Sequence, residues 1–133
     1  MNLLLATIPA ALAITYLVKF ASVPGIAKSQ GKYDNKNPRD QQAQVKGWPR
    51  RAVNAHYNGL EAFAPFAAGV IVCHVTHVAE STALGLAVAH LVARLLYCVF
   101  YVADIDKLRS TVWSVGFGAS GALLVLGALA ATT

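Results

Sequence analysis

The sequence contains four long apolar blocks, each of a length that crosses a lipid bilayer as a helix. They occupy approximately residues 3–23, 52–78, 82–102 and 111–131, and about 20 helical residues cross the ~30 Å hydrocarbon layer. Of the 133 residues, 56% are hydrophobic and 13% are charged, which gives too little polar surface to cover a soluble domain. We therefore predict an all-α membrane protein whose single domain is a bundle of four transmembrane helices.

Positive charge is concentrated in the polar loop between the first two blocks, residues 28–51. This loop holds seven of the eleven basic residues: Lys28, Lys32, Lys36, Arg39, Lys46, Arg50 and Arg51. Basic loops stay on the cytoplasmic side, and the other cationic loop, 104–109, lies two spans away and so falls on the same side. We expect both termini to be periplasmic in a bacterial inner membrane, since the short N-terminus shows neither a transit peptide nor a signal-peptide cleavage pattern.

The polar loop also carries several turn signals. Gly31 and the segments 35–38 and 47–49 combine Gly, Asn and Pro, which predicts irregular structure, with Trp48 at the headgroup level. Two acids interrupt the cationic run, and only two aromatic residues are available to stack on bases. The loop therefore does not indicate a nucleic-acid partner.

Three ionisable residues, Lys19, Glu61 and Arg94, lie within the apolar blocks. A charge at mid-membrane costs at least ~2.5 kcal/mol, so each needs a partner or water. Lys19 is close enough to the cytoplasmic end for its long side chain to reach the interface. Glu61 and Arg94 lie at similar depths on different helices, and we predict that they form an intramembrane ion pair. Such a pair either belongs to a site or only fixes the helix register.

Polar residues form a stripe on each of the two helices that carry Glu61 and Arg94. The stripes comprise Asn54, Asn58 and Glu61 on the second helix and Arg94, Tyr97 and Tyr101 on the third. Spacings of three or four residues place each set on one helical face. Arg51 and Arg109 lie at the cytoplasmic ends of the second and fourth helices. Together these residues predict a polar cleft for an anionic, hydrogen-bonding ligand.

The histidines and cysteines do not predict a metal site or a disulfide. Cys73 and Cys98 occupy apolar positions, without the spacing of a disulfide framework, and are expected to be small core residues. His74 and His77 are three residues apart and could share a metal ion. No third ligand of suitable spacing accompanies them, so we expect an interfacial role instead.

The polar positions also follow a known pattern. The second helix reads Arg51-Ala52-x-x-x-His56-x-Asn58-x-x-Glu61, the third Ala93-Arg94-x-x-Tyr97-x-x-x-Tyr101 and the fourth Arg109-Ser110-x-x-Trp113, with Asn37-Pro38-x-Asp40 in the first loop. Over nearly the whole chain, these motifs closely resemble the MAPEG family, the membrane-associated proteins of eicosanoid and glutathione metabolism.

This resemblance implies a homotrimer embedded in membrane lipid. Glutathione would be held in a bent form at each subunit interface, with a lipophilic small molecule as the second substrate. The resemblance implies that Arg109 and Tyr101 are catalytic and that the glutathione-binding residues are Arg51, Asn58, Glu61, Arg94 and Tyr97. The chain departs from the family pattern at Asn54 and Tyr57, where several eukaryotic members have arginines that bind the carboxylates of glutathione. Fewer cations predict weaker glutathione binding.

The role implied for Arg109 is chemically sound. A free thiol has a pKa near ~8.5 and its thiolate is the nucleophile, so a permanently charged guanidinium beside it favours ionisation. The predicted helix N-terminus at Arg109 adds a favourable dipole. We expect a glutathione-dependent membrane enzyme that transfers the thiolate to a lipophilic electrophile or reduces lipid hydroperoxides. The alternative is a non-catalytic membrane protein or a small four-helix transporter, although similar exporters carry their intramembrane acid on the first helix, where this chain has Lys19.

Overall fold

The structure is a computed structural model that describes residues 2–132. Within this range the chain forms five helices: α1 (Leu3–Gln30), α2 (Pro38–Gln44), α3 (Trp48–Val75), α4 (Glu80–Val102) and α5 (Asp106–Ala130). All except α2 are long and apolar enough to cross a membrane. The predicted fold class, an all-α membrane protein with four spanning helices, is confirmed.

Several helices begin or end outside the predicted blocks. The first block ends near residue 23, whereas α1 continues to Gln30, and α5 begins at Asp106 rather than near 111. A hydropathy pattern detects only the part of a helix that lies in hydrocarbon. Polar turns at the ends extend the helix itself into the interface. The 28 residues of α1 correspond to about 42 Å of helix. Gly31, with a φ of 83°, ends α1 in a conformation that favours glycine.

The prediction of irregular structure throughout the polar loop is wrong for Pro38–Gln44, which forms α2. Pro38 lies in the first helical turn, where its fixed φ suits helix entry and its missing N–H costs nothing. Just before it, the Asp34 carboxylate accepts hydrogen bonds from the backbone N–H groups of Lys36 (2.8 Å) and Asn37 (3.2 Å). These bonds, that of Lys36 foremost, lower the pKa of Asp34 below its ordinary value.

Helix α2 is held against the bundle by Gln42, which is buried. The Lys19 ammonium group donates a hydrogen bond of 2.6 Å to the side-chain Oε1 of Gln42. The Arg50 guanidinium donates a second bond, of 2.7 Å, to the backbone carbonyl of Gln42. Lys19 therefore has a polar partner from the loop, and this contact connects α1 to α2.

Helices α3 and α5 lie close together at two glycines between them. A Cβ atom on Gly69 of α3 would lie 2.8 Å from the Leu123 Cβ and 3.2 Å from the Leu124 backbone nitrogen of α5. Gly127 likewise lies against α3. The fourth span contains several glycines, and they differ in their surroundings, since Gly118 has nothing within 4 Å of its Cβ position. In addition to α5, helix α3 packs against α1 and α4.

The hydrophobic core contains separate groups of buried residues. Its largest group surrounds Phe66 and Leu123 between α3 and α5, and Cys73 belongs to it. Cys98 belongs to a second group nearer the polar loop. Both cysteines are free and buried, which confirms their predicted place in the core.

We expect Gly69→Ala to destabilise the bundle. The added methyl group would meet α5 backbone as well as a side chain, so a change of rotamer cannot relieve the overlap. Overpacking of this kind costs about 1–3 kcal/mol, which thermal unfolding in detergent would measure. Gly118→Ala is the matched control and should be neutral or stabilising, because Ala is the better helix former. Equal losses in both variants would contradict close packing at Gly69.

Candidate functional site

A pocket of about 250 Å³, called the inner pocket below, lies between α3, α4 and α5. Its polar lining comprises Asn58, Glu61, His90, Arg94 and Ser120, and its apolar lining includes Pro65, Trp113, Phe117 and Leu124. Phe117 is 65% exposed on the outer surface of the single chain. The pocket thus combines a charged wall with an apolar wall that continues to the surface of the bundle.

Arg94 and Glu61 are joined through Asn58. The Arg94 Nη1 donates a hydrogen bond of 3.0 Å to the Asn58 Oδ1, and the Asn58 Nδ2 donates one of 3.2 Å to the Glu61 Oε2. The predicted direct ion pair is therefore wrong, because Asn58 lies between the two charged groups. An amide can donate and accept at once, so Asn58 connects the cation to the anion. Glu61 is also exposed on the surface of the single chain, whereas Arg94 is buried.

The second terminal nitrogen of Arg94, Nη2, has no hydrogen-bond partner among residues 2–132, although it is buried. The side chain as a whole is only 5% exposed, and it lines the pocket. A buried donor without a partner costs about 1–3 kcal/mol and more when charged. This nitrogen therefore lacks an acceptor among residues 2–132, and a bound ligand or a neighbouring subunit can provide one.

Glu61 is exposed on the surface of the single chain, within a spanning helix. A carboxylate facing lipid at this position would carry a large desolvation cost. The face of α3 that carries Glu61 is thus suited to contact with polar material, either a bound ligand or a neighbouring subunit.

His90 forms the inner wall of the pocket and is held from three directions. Its Nδ1 lies 3.0 Å from the Gly116 carbonyl oxygen and 2.9 Å from the Ser120 hydroxyl. Its ring stacks on Phe66 with a centroid distance of 4.0 Å and an interplanar angle of 7°. The ring is consequently fixed in one orientation.

A second and more open pocket of about 450 Å³, called the outer pocket below, lies nearer the polar loop. It is lined by Tyr97, Tyr101, Arg109, Ser110, Trp113 and Ser114. The Arg109 guanidinium lies over the Tyr101 ring at 4.6 Å, and the Arg94 guanidinium over the Tyr97 ring at 4.3 Å. These cation–π contacts fix both arginines. Trp113 lines both pockets, so the two are neighbours along α5.

Comparison with known protein families gives one assignment. The MAPEG family model matches residues 5–129, nearly the whole chain. The chain belongs to the MAPEG family. Comparisons with curated proteins and with solved structures give no match. Family membership makes this chain a multi-pass membrane protein of a family that acts in glutathione and eicosanoid metabolism.

In this MAPEG protein, most of the residues predicted for the site lie around the two pockets. Asn58, Glu61 and Arg94 line the inner pocket, and Tyr97, Tyr101 and Arg109 line the outer one. Arg51 lines neither pocket. Its Nη1 pairs with the Asp104 carboxylate at 3.3 Å and its Nε donates to the Val102 carbonyl at 3.0 Å. It thereby connects the start of α3 to the turn between α4 and α5.

Some residues near the predicted stripe of α3 face away from the site. His56, which belongs to the family motif, is buried against α1, where its Nδ1 lies 2.9 Å from the Thr15 carbonyl oxygen. At the opposite end of the bundle, His77 follows α3 and has a φ of 58°, so it does not share a helical face with His74. Among residues 2–132 no group of three potential metal ligands occurs.

The inner pocket contains residues that sequence reasoning did not assign to it. Ser120, Phe117 and Leu124 belong to an apolar, small-residue helix, and nothing in that pattern distinguishes them from core positions. His90 was visible as a polar residue in a span, one turn before Arg94. Its partners, Gly116 and Ser120, are on α5, and only the docking of α4 on α5 brings them together.

We expect Asn58→Ala to destabilise the MAPEG bundle by roughly 1–3 kcal/mol, because Arg94 loses a hydrogen-bond acceptor and Glu61 loses a donor. Thermal unfolding in detergent would measure the change. Asn54→Ala is the control, since Asn54 lies one turn earlier on α3 and makes no side-chain hydrogen bond with residues 2–132. If both variants melt alike, the chain from Arg94 to Glu61 contributes no stability.

Proposed function

We propose that this protein is a glutathione-dependent membrane enzyme, which transfers the glutathione thiolate to a lipophilic electrophile or reduces lipid hydroperoxides. The observation that carries the proposal is the unpaired Nη2 of Arg94, which lies beside a pocket that also contains Asn58 and Glu61. The family of the chain supports the choice of glutathione, because its members generally use this thiol.

The charges in the inner pocket suit a small peptide that carries both signs. Arg94 offers guanidinium N–H groups to a carboxylate, and Glu61 offers carboxylate oxygens to an ammonium group. Asn58 connects these two charges through its side-chain hydrogen bonds and so fixes their relative positions. Glutathione has two carboxylates and one ammonium group, which are opposite in sign to the charges of Arg94 and Glu61 respectively.

Arg109 is the residue that we propose to stabilise the thiolate. It lies in the first turn of α5, where the helix dipole favours an anion. Among residues 2–132 the one ion pair joins Arg51 to Asp104, so no carboxylate of the described chain neutralises Arg109. Tyr101 supports the guanidinium with its ring and, in this proposal, presents its hydroxyl group to the same pocket as a hydrogen-bond donor.

The second substrate would enter from the lipid. The apolar wall of the inner pocket, with Pro65, Phe117 and Leu124, reaches the surface of the bundle. A lipophilic molecule can therefore approach the charged wall without passing through water. In the proposed homotrimer, neighbouring subunits would cover the exposed face around Glu61 and complete the glutathione site.

We expect Arg109→Ala to leave the protein folded and inserted while raising the pKa of bound glutathione toward its solution value. A rise of one unit corresponds to ~1.4 kcal/mol of lost charge stabilisation and up to about tenfold less thiolate well below that pKa. Ultraviolet thiolate absorbance after mixing with glutathione would report the change. Arg109→Lys should give an intermediate value, because it keeps the charge and loses the planar fork.

Lys107→Ala is the matched control for this experiment. It removes the same charge from the same turn of α5, but Lys107 is exposed and lines neither pocket. It should leave thiolate formation unchanged. An Arg109→Ala variant that ionises glutathione as readily as the parent would transfer the role to another residue. Absence of glutathione binding by the parent at millimolar concentration would overturn the enzymatic proposal and favour a transporter or non-catalytic protein.

The orientation that we propose places the polar loop in the cytoplasm and both termini in the periplasm of a bacterial inner membrane. The Arg51–Asp104 pair brings the two cationic loops to the same end of the bundle, as the positive-inside rule requires. A reporter inserted near Asn35 should be cytoplasmic, and one fused after Thr133 should be periplasmic. Reporter activities with the opposite pattern would show that the orientation is inverted.

A further inference from the structure

His90 is a buried polar residue of the inner pocket to which the proposed mechanism assigns no role. It is 1% exposed and lies one turn from Arg94 on α4, farther from the polar loop. A buried imidazole needs hydrogen-bond partners for both ring nitrogens. The contacts of the ring show which nitrogen has its partners and which does not.

The partners of Nδ1 determine the tautomer. The Gly116 carbonyl oxygen, 3.0 Å away, can only accept a hydrogen bond, so Nδ1 must carry the proton. The Ser120 hydroxyl donates to the same carbonyl oxygen at 3.1 Å, and its oxygen can therefore also receive the Nδ1 proton at 2.9 Å. The other tautomer would place the Nδ1 lone pair against the carbonyl lone pairs. We assign the Nδ1–H form, in which Nε2 is an acceptor.

Nε2 makes no hydrogen bond with residues 2–132. The ring lines the pocket, and its face is covered by Phe66, so the edge of the ring is what remains for a ligand. None of the contacts of the ring with residues 2–132 involves a carboxylate, and the assigned tautomer is neutral. Neutral His90 is therefore a fixed acceptor in an apolar part of the pocket, where a hydrogen bond is stronger than in water.

We propose that His90 Nε2 accepts a hydrogen bond from the second substrate and thereby selects lipid hydroperoxides over electrophiles that lack a donor. This inference rests on the proposed function and chooses between its two reactions. A hydroperoxyl group is a small O–H donor at the end of an apolar body, which matches an acceptor beside Phe117 and Leu124. In the overall reaction two thiols are oxidised to one disulfide while the hydroperoxide is reduced to an alcohol and water.

The arrangement also explains why the acceptor is a histidine rather than a charged residue. A carboxylate at this depth would pair with Arg94 and compete with the anionic ligand for its Nη2. A neutral imidazole leaves the guanidinium available and still provides one lone pair. His90 is thus a specificity residue for the lipid, and Arg94 a binding residue for the thiol peptide.

The test measures binding without any thiol. In a Trp48→Phe background, Trp113 is the remaining tryptophan and lines the pocket, so its fluorescence reports occupancy. The probes are the hydroperoxide of methyl linoleate and methyl linoleate itself. We expect the parent to bind the hydroperoxide at least about tenfold more tightly, as one hydrogen bond in an apolar site allows. His90→Asn should remove this preference, because its amide can replace Nδ1–H toward Gly116 but offers nothing at Nε2.

Nitrogen NMR of the histidine rings in the parent gives a second measurement that needs no variant. The Nε2 signal of His90 should shift on addition of the hydroperoxide and remain unchanged with methyl linoleate. Equal binding of the two esters by the parent, or a preference that persists in His90→Asn, would overturn the proposal. If the preference is present but glutathione does not bind, the proposed function fails while the role of His90 stands. If glutathione binds and both esters bind equally, the proposed function survives and the role of His90 fails.

Discussion

The arrangement of the site depends on a guanidinium group buried inside a membrane-spanning bundle. Arg94 is expensive to place there, and its surroundings offset that cost in three ways. Asn58 accepts one of its hydrogen bonds, the Tyr97 ring lies under its plane, and Glu61 provides an opposite charge beyond the amide. These contacts also set the register of α3 against α4. The remaining nitrogen, Nη2, has no hydrogen-bond partner among the residues that the structure describes.

The two pockets divide the polar residues into two groups along α5. Arg109 and the tyrosines occupy the end near the polar loop, and Arg94, Asn58 and Glu61 occupy the deeper end. Trp113 lies between these groups and lines both. A peptide that extends past Trp113 could present its thiol at one end and its charged backbone at the other. The division follows from the spacing of the arginines along two antiparallel helices.

The sequence was sufficient to predict the four spanning helices and the residues of the polar stripes. Bilayer length and the cost of intramembrane charge are strong constraints, and both can be read from composition along the chain. Contacts between helices were harder to predict. Asn58 was on the predicted stripe, but its position between Glu61 and Arg94 depends on how α3 and α4 dock. Helix α2 was missed because it is only seven residues long and is stabilised by Gln42, whose partners come from other helices.

Phe117 has a consequence for how any activity of this protein is measured. Its exposed ring joins the inner pocket to the outer surface of the bundle, so in the proposed reaction the lipophilic reactant would be drawn from the surrounding apolar phase. The relevant concentration is then the mole fraction of that reactant in the bilayer or micelle, and not its amount per volume of buffer. Adding detergent at a constant total amount of the lipophilic reactant would lower its mole fraction in this phase and slow the reaction. The concentration of a water-soluble thiol would be unaffected. The dependence of the rate on the lipophilic reactant is therefore expressed in mole fraction, and its dependence on the thiol in concentration per volume of buffer.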